Sequence, residues 1–115
     1  MAAITYKFTT GASTNLQVVR AGQTANVKGY AYVVSAAYPV FVKFYWTNAA
    51  PTVGTTIPNL TIECPTVSTA GNGVQSIPDG ITGNGDLWVA ITKNAGDSDA
   101  TAVASGDLIL TLFLE

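Results

Sequence analysis

"VFVKFYW", residues Val40 to Trp46, carries an apolar or aromatic side chain at every position but one, and the exception is a lysine. In an extended chain successive side chains point to opposite sides. Val40, Val42, Phe44 and Trp46 then share one side, with Phe41, Lys43 and Tyr45 on the other. β-Branched and aromatic residues in such a run predict a strand. A strand apolar on both sides needs two covers. In a two-layer sandwich the core supplies one, and the side carrying Phe41 needs a second.

The same alternation recurs. Leu87, Val89 and Ile91 oppose Trp88, Ala90 and Thr92, and Leu108, Leu110, Leu112 and Leu114 oppose Ile109, Thr111 and Phe113. Helical periodicity is nearly absent, and Gly, Pro, Asn and Asp punctuate the apolar runs. About eight strands are predicted, over residues 4–9, 16–20, 25–35, 40–46, 60–64, 73–77, 87–92 and 108–114. Ala21-Gly22, Asn72-Gly73 and Asn84-Gly85 suit tight turns. Pro39, Pro65 and Pro78 fall at expected strand edges, where a missing N–H is tolerated. Connections of unequal length favour a two-sheet, jelly-roll-like β-sandwich over a meander barrel. With no repeat and no linker, residues 1–115 read as one all-β domain.

Composition narrows the function classes. Only 10% of the 115 residues are charged while 48% are hydrophobic, against about 25% charged in ordinary soluble domains. A surface so poor in charge suits a protein partly covered by copies of itself or by partners. The net charge is −2 and the basic residues Lys7, Arg20, Lys28, Lys43 and Lys93 are scattered. Nucleic-acid binding, which needs a basic stripe, is not expected. No secretion leader is expected at the N-terminus. Runs such as "LILTLFL" fall far short of the ~20 residues of a membrane helix, so no membrane partner is expected.

Catalytic chemistry finds little to work with. The histidine count is zero, which removes the usual general base, the Ser-His triad and most zinc sites. Cys64 is alone and reads as a small buried hydrophobe. Asp97, Asp99 and Asp107 resemble a calcium loop, but Ala102 stands at the EF-hand glycine position, so a solvated loop is expected. Glu63, Asp79 and Asp86 show no spacing that would pair them as glycosidase acids. "GITGNGD" precedes a strand, leaving no helix N-terminus for a phosphate. No enzyme activity, metal or cofactor is expected. Tyr30, Tyr32, Trp46 and Trp88 are read as packing residues, with a sugar-stacking platform as the alternative.

Three stretches together, "VKFYWTNAAPTVGTTIPNLTI", "IPDGI" and "AGDSDATAVASGDLILTLFLE", resemble a family of small β-rich proteins encoded by tailed bacteriophages and prophages. The shared pattern is a Lys-aromatic strand, Ala-Pro-Thr-Val-Gly-Thr, an apolar strand, a Pro-Asp-Gly turn and a Gly-Asp-Ser-Asp loop entering a last apolar strand. The match runs from about residue 40 to the C-terminus, and Glu63 and Cys64 depart from it. The resemblance implies a virion protein made in the bacterial cytoplasm. By analogy of fold and size, it implies a capsid decoration (cement) protein on the shell surface. Its partners would be the phage major capsid protein and further copies of itself, with a homotrimer as the first expectation. The alternative is a receptor- or carbohydrate-binding module of a tail fibre or baseplate.

The connection over residues 47–59 is neutral, stiffened by prolines and longer than the two to six residues a turn needs. Thr47, Asn48, Pro51, Val53, Ile57 and Pro58 are therefore candidate interface residues, together with Phe41 and Phe113 on the outer strand faces. The competing reading is a packed Ω-loop covering the end of its own sandwich.

Overall fold

A computed structural model describes residues 4–22, 25–65 and 71–115. The described chain is all-β, with strands β1 (Ile4–Thr9), β2 (Gln17–Arg20), β3 (Asn26–Val34), β4 (Val40–Trp46), β5 (Leu60–Cys64), β6 (Gly71–Thr82), β7 (Leu87–Thr92) and β8 (Leu108–Leu114). Five of the eight coincide with the alternating runs end to end, because alternation stops where a turn residue breaks it.

The strands form two four-stranded antiparallel sheets, ordered β1-β8-β3-β6 and β2-β7-β4-β5. Pairing β1 with β8, β2 with β7, β3 with β6 and β4 with β5 wraps the chain in the jelly-roll manner. The register places Leu108, Leu110, Leu112 and Leu114 beside Val34, Tyr32, Tyr30 and Val27. These face Val40, Val42, Phe44 and Trp46 of β4, and Leu87, Val89 and Ile91 of β7, across one buried core. Fully burying a leucine or phenylalanine contributes about 1.5–3 kcal/mol, so this interleaved set drives the two sheets together.

Polar contacts close the ends. The Tyr6 hydroxyl donates to Gln17 Oε1 at 2.5 Å, joining one sheet to the other at the β1–β2 crossover. Buried Thr10 receives the Gly106 N–H on its carbonyl and the Leu108 N–H on its hydroxyl, and donates that hydroxyl to the Ala104 carbonyl. It pins the turn before β8.

Strand β6 is longer than its predicted span. It pairs with β3 at both ends but bulges between Ser76 and Ile81, opposite Lys28. Pro78 sits in this bulge, where it owes no ladder bond, and its carbonyl accepts Lys28 Nζ at 2.6 Å. Asn72-Gly73, expected as a turn, lies inside β6. A Cβ on Gly73 would stand 2.8 Å from the Tyr32 hydroxyl, so the glycine admits an aromatic ring and makes no turn. Residues 66–70, in the connection that Glu63 and Cys64 open, lie outside the described residues.

Candidate functional site

The slab measures 38 × 30 × 19 Å, so its two broad sheet faces are its largest surfaces. They differ in kind. The outer face of the β2-β7-β4-β5 sheet carries Lys43, Tyr45, Ala90 and Thr92, all buried. What covers them is the chain's own. The segment from Lys93 to Thr101 folds back over the sheet, with the Lys93 N–H on the Thr101 carbonyl, and Lys43 Nζ donates to the Gly96 carbonyl at 2.7 Å and the Asp99 carbonyl at 2.9 Å. Burial holds the Lys43 amine below its ordinary value, with Asp99 and then Asp97 pulling it back up.

This roof is built by local bonds. Asp99 accepts from the backbone N–H and the side chain of both Asn94 and Thr101. Burial works to raise its carboxyl, but those bonds outweigh it and hold the group below its usual value. The Thr92 hydroxyl donates to the Asn94 carbonyl at 2.8 Å, and buried Val103 donates its N–H to Ser13. Tyr38 donates its hydroxyl to Asp107, and Lys93 stands 4.5 Å above the Tyr38 ring. Asp99 thus shapes a loop, and among the described residues no His, Cys, Asp and Glu cluster in a metal-holding group.

The 47–59 loop joins the same layer. Gly54, at φ 90°, brings its missing Cβ position to 3.1 Å from Ala100 Cβ and 3.2 Å from the Ser98 carbonyl. Pro51 and Pro58 are buried, Thr47 and Val53 half-buried. Asn59 locks the loop's end: its N–H donates to the Phe44 carbonyl and its Oδ1 accepts the Trp46 N–H at 2.9 Å. Thr47 donates its N–H to the Asp86 carbonyl, and exposed Asn48 accepts the Asp86 N–H on its Oδ1. The loop is therefore tied at both ends to its own sandwich, while Ile57 stands 72% exposed.

The outer face of the β1-β8-β3-β6 sheet has no such roof among the described residues. The register lines up Lys7, Thr111, Ala31 and Val74 across all four strands, with Ile109 and Val33 beside them. Val74 is 76% exposed and Val33 39%. Together they line a shallow, open depression of about 360 Å³ whose walls include Lys7 and no carboxylate. Phe113 lies on this face, half-buried above Gly29, whose missing Cβ would stand 3.4 Å from its ring.

Phe41 and Phe113 thus occupy opposite outer faces and do not meet. The Phe41 face is covered over its middle by the chain itself, with Phe41 half-buried and Val18 36% exposed beyond the cover, while the Phe113 face has no such cover among the described residues. Sequence reasoning singled out Phe113 but passed over Val33, Val74, Ala31, Ile109 and Lys7. Ile109 was within reach, since it shares Phe113's side of "LILTLFL"; Val74 lies in the strand predicted over 73–77, but its place beside Ala31 depends on the pairing of β6 with β3. The aromatics read as a possible sugar platform are mostly spent in packing: Tyr30 and Tyr32 stack on the inner face at 6.2 Å, and Trp46 stacks on Phe44 while its Nε1 donates to the Ala25 carbonyl. Comparison with protein-family models, with curated proteins and with solved structures gives no match.

Proposed function

We propose that the protein is a non-enzymatic structural component of a tailed-phage virion, a capsid decoration protein that binds the outer shell and stabilises it. The observation that supports this is the asymmetry of the slab. One broad face is roofed over its middle, above Lys43, Tyr45, Ala90 and Thr92, by the chain's own loops, and the other presents an unroofed strip of Ala31, Val33, Val74, Ile109 and Phe113. A contiguous apolar strip rimmed by lysine, threonine and asparagine suits contact with another protein. The motif resemblance from residue 40 onward supplies the virion setting.

The mechanism is binding alone. A protein that binds the assembled shell and not its separated subunits stabilises the shell by mass action. Surface laid across a subunit seam adds contacts that rupture must break. The reading includes a homo-oligomer, taken as a trimer because shell lattices present threefold positions.

The test is made on purified particles of the phage or prophage that encodes the chain. The protein is expected in fixed stoichiometry on the shell, and particles lacking it should release their genome at a lower temperature. Its absence from washed particles, or its location on the tail alone, sinks the reading.

A further inference from the structure

Two features on different surfaces of the molecule are opposite in kind, one a depression beside a lysine and the other an exposed isoleucine in the layer that carries an exposed carboxylate. The first is the depression on the bare sheet face, with an apolar floor of Ala31, Val33, Val74 and Ile109 and with Lys7 at its wall. The second is the loop layer on the opposite sheet. It presents Ile57, 72% exposed, and Asp97, an exposed carboxylate one residue before the Ser98 carbonyl that packs on Gly54. Asp97 acts on the Lys43 amine from the loop layer and keeps its own side chain exposed.

A two-fold pairing of bare faces would set like against like. Each face brings Lys7 and no carboxylate to the depression, so neither lysine gains a counter-charge from the facing depression. A head-to-tail contact meets no such conflict. The projecting isoleucine has an apolar floor to enter, and the carboxylate has a lysine to face.

We propose that the chain associates with a second copy of itself head to tail, with Ile57 of one copy in the depression of the next and Asp97 towards Lys7. This rests on the homo-oligomer part of the reading above. Such a heterologous contact closes into a ring where the rotation per copy allows, and otherwise continues as a filament.

Size sets the expected strength. Four strands ~4.8 Å apart and about seven residues long at ~3.4 Å each give the face roughly 450 Å² in plan. That is about half of the ~800 Å² per partner of a standard interface, so each contact is weak and association belongs in the micromolar range. Ring closure compensates by making the last contact intramolecular.

The test is sedimentation velocity on the full chain and two surface variants, Ile57→Arg (projection removed) and Val74→Glu (depression blocked). Both positions are largely exposed, and circular dichroism with thermal melting checks that each variant folds as the parent does. The parent should self-associate over about 10–100 µM, and each variant alone should lose association by roughly thirtyfold or more. Mixed in equal amounts, the two variants should form a one-to-one dimer, because one intact depression and one intact projection remain. A parent monomeric across that range overturns the proposal, and so does unchanged association of Ile57→Arg. Two inactive variants that stay monomeric on mixing also overturn it, since a two-fold contact behaves that way. A monomeric parent that still binds shells, with Val74→Glu weakening that binding, assigns the face to the capsid and sinks this proposal alone. A parent that self-associates but is absent from particles sinks the virion reading alone.

Discussion

A lysine amine with no exposed surface must be held by acceptors, and Lys43 is held by the carbonyls of Gly96 and Asp99. Removing the amine takes a charged donor from both carbonyls, and only Gly96's keeps another, the Asp99 N–H. Lys43→Met is therefore expected to lower stability by about 1–3 kcal/mol in urea unfolding, although it removes a desolvated charge. A variant as stable as the parent would mean the roof stands without this tie. Cys64 is a second buried group with a measurable consequence. Burial, with Glu63 adding to it, pushes its thiol from 9.0 up to about 12. At pH 8 a thiol reagent should leave the folded chain unlabelled and react only as it unfolds; rapid labelling of folded protein would contradict this. Between pH 9.0 and about 12 the unfolded chain gives up a proton that the folded chain keeps. Stability then falls with rising pH by at most about 1.4 kcal/mol per unit from this group. Tyr30 and Tyr45, also raised by burial, add to the fall above their ordinary 10.0. Lys43, lowered, acts in the opposite sense below 10.5. Cys64→Ala should flatten the profile between pH 9.0 and about 12 relative to the parent; an unchanged slope would place the alkaline loss elsewhere.

Between residues and whole lies the layer made by two loops. Asp99 shapes the segment over β4 and β7, and Gly54 lets the 47–59 loop lie against it. At φ 90° with Ala100 Cβ 3.1 Å from its missing Cβ, Gly54 has neither the conformation nor the room for a side chain. Gly54→Ala is expected to cost about 1–2 kcal/mol from backbone strain alone and to part the two loops. Hydrogen exchange should then quicken at the Thr55, Thr56 and Lys93 amides, each bonded within this layer. Unchanged exchange there would mean the loops do not support each other. Calcium should be irrelevant to the layer, because Asp99's oxygens are already met by Asn94 and Thr101. EDTA should leave the melting temperature where it is, and a fall reversed by calcium would show the acidic segment to be a metal site.

For the molecule as a whole, the pairing scheme governs how the fold forms. Ile4 pairs with Leu114 and Thr9 with Ile109, so the first strand has no partner until the last is made. Every other sheet contact also spans a long stretch of chain except β4 with β5. Loop-closure entropy must be met before such pairings stabilise anything. Stopped-flow refolding is expected to take milliseconds to seconds, and microsecond folding would be incompatible with this topology. Deleting residues 108–114 removes the strand between β1 and β3 together with four core leucines. That chain should not fold at all, whereas loss of an edge strand such as β2 would be graded.

Alternation is a local property, and what depends on it was legible in the residues themselves. The side shared by Val40, Val42, Phe44 and Trp46 is the core side, as is that of Leu108, Leu110, Leu112 and Leu114. Strand existence, most strand ends and the all-β class followed from it, because each side chain's direction is set by its immediate neighbours in an extended chain. Pairing is not local. Nothing near Gly73 announces that Tyr32 will fill the space above it, so a glycine inside a strand read as a turn. Nothing in "VFVKFYW" says whether Phe41, Lys43 and Tyr45 will be covered by a partner or by a segment some fifty residues further on. Only the tertiary structure decided that the chain's own loops cover the middle of one outer face while the other, with Val33, Val74 and Ile109, stays open. The physical reason is that burial is a property of what the whole chain brings to a place, and a strand's own sequence records only the need for a cover.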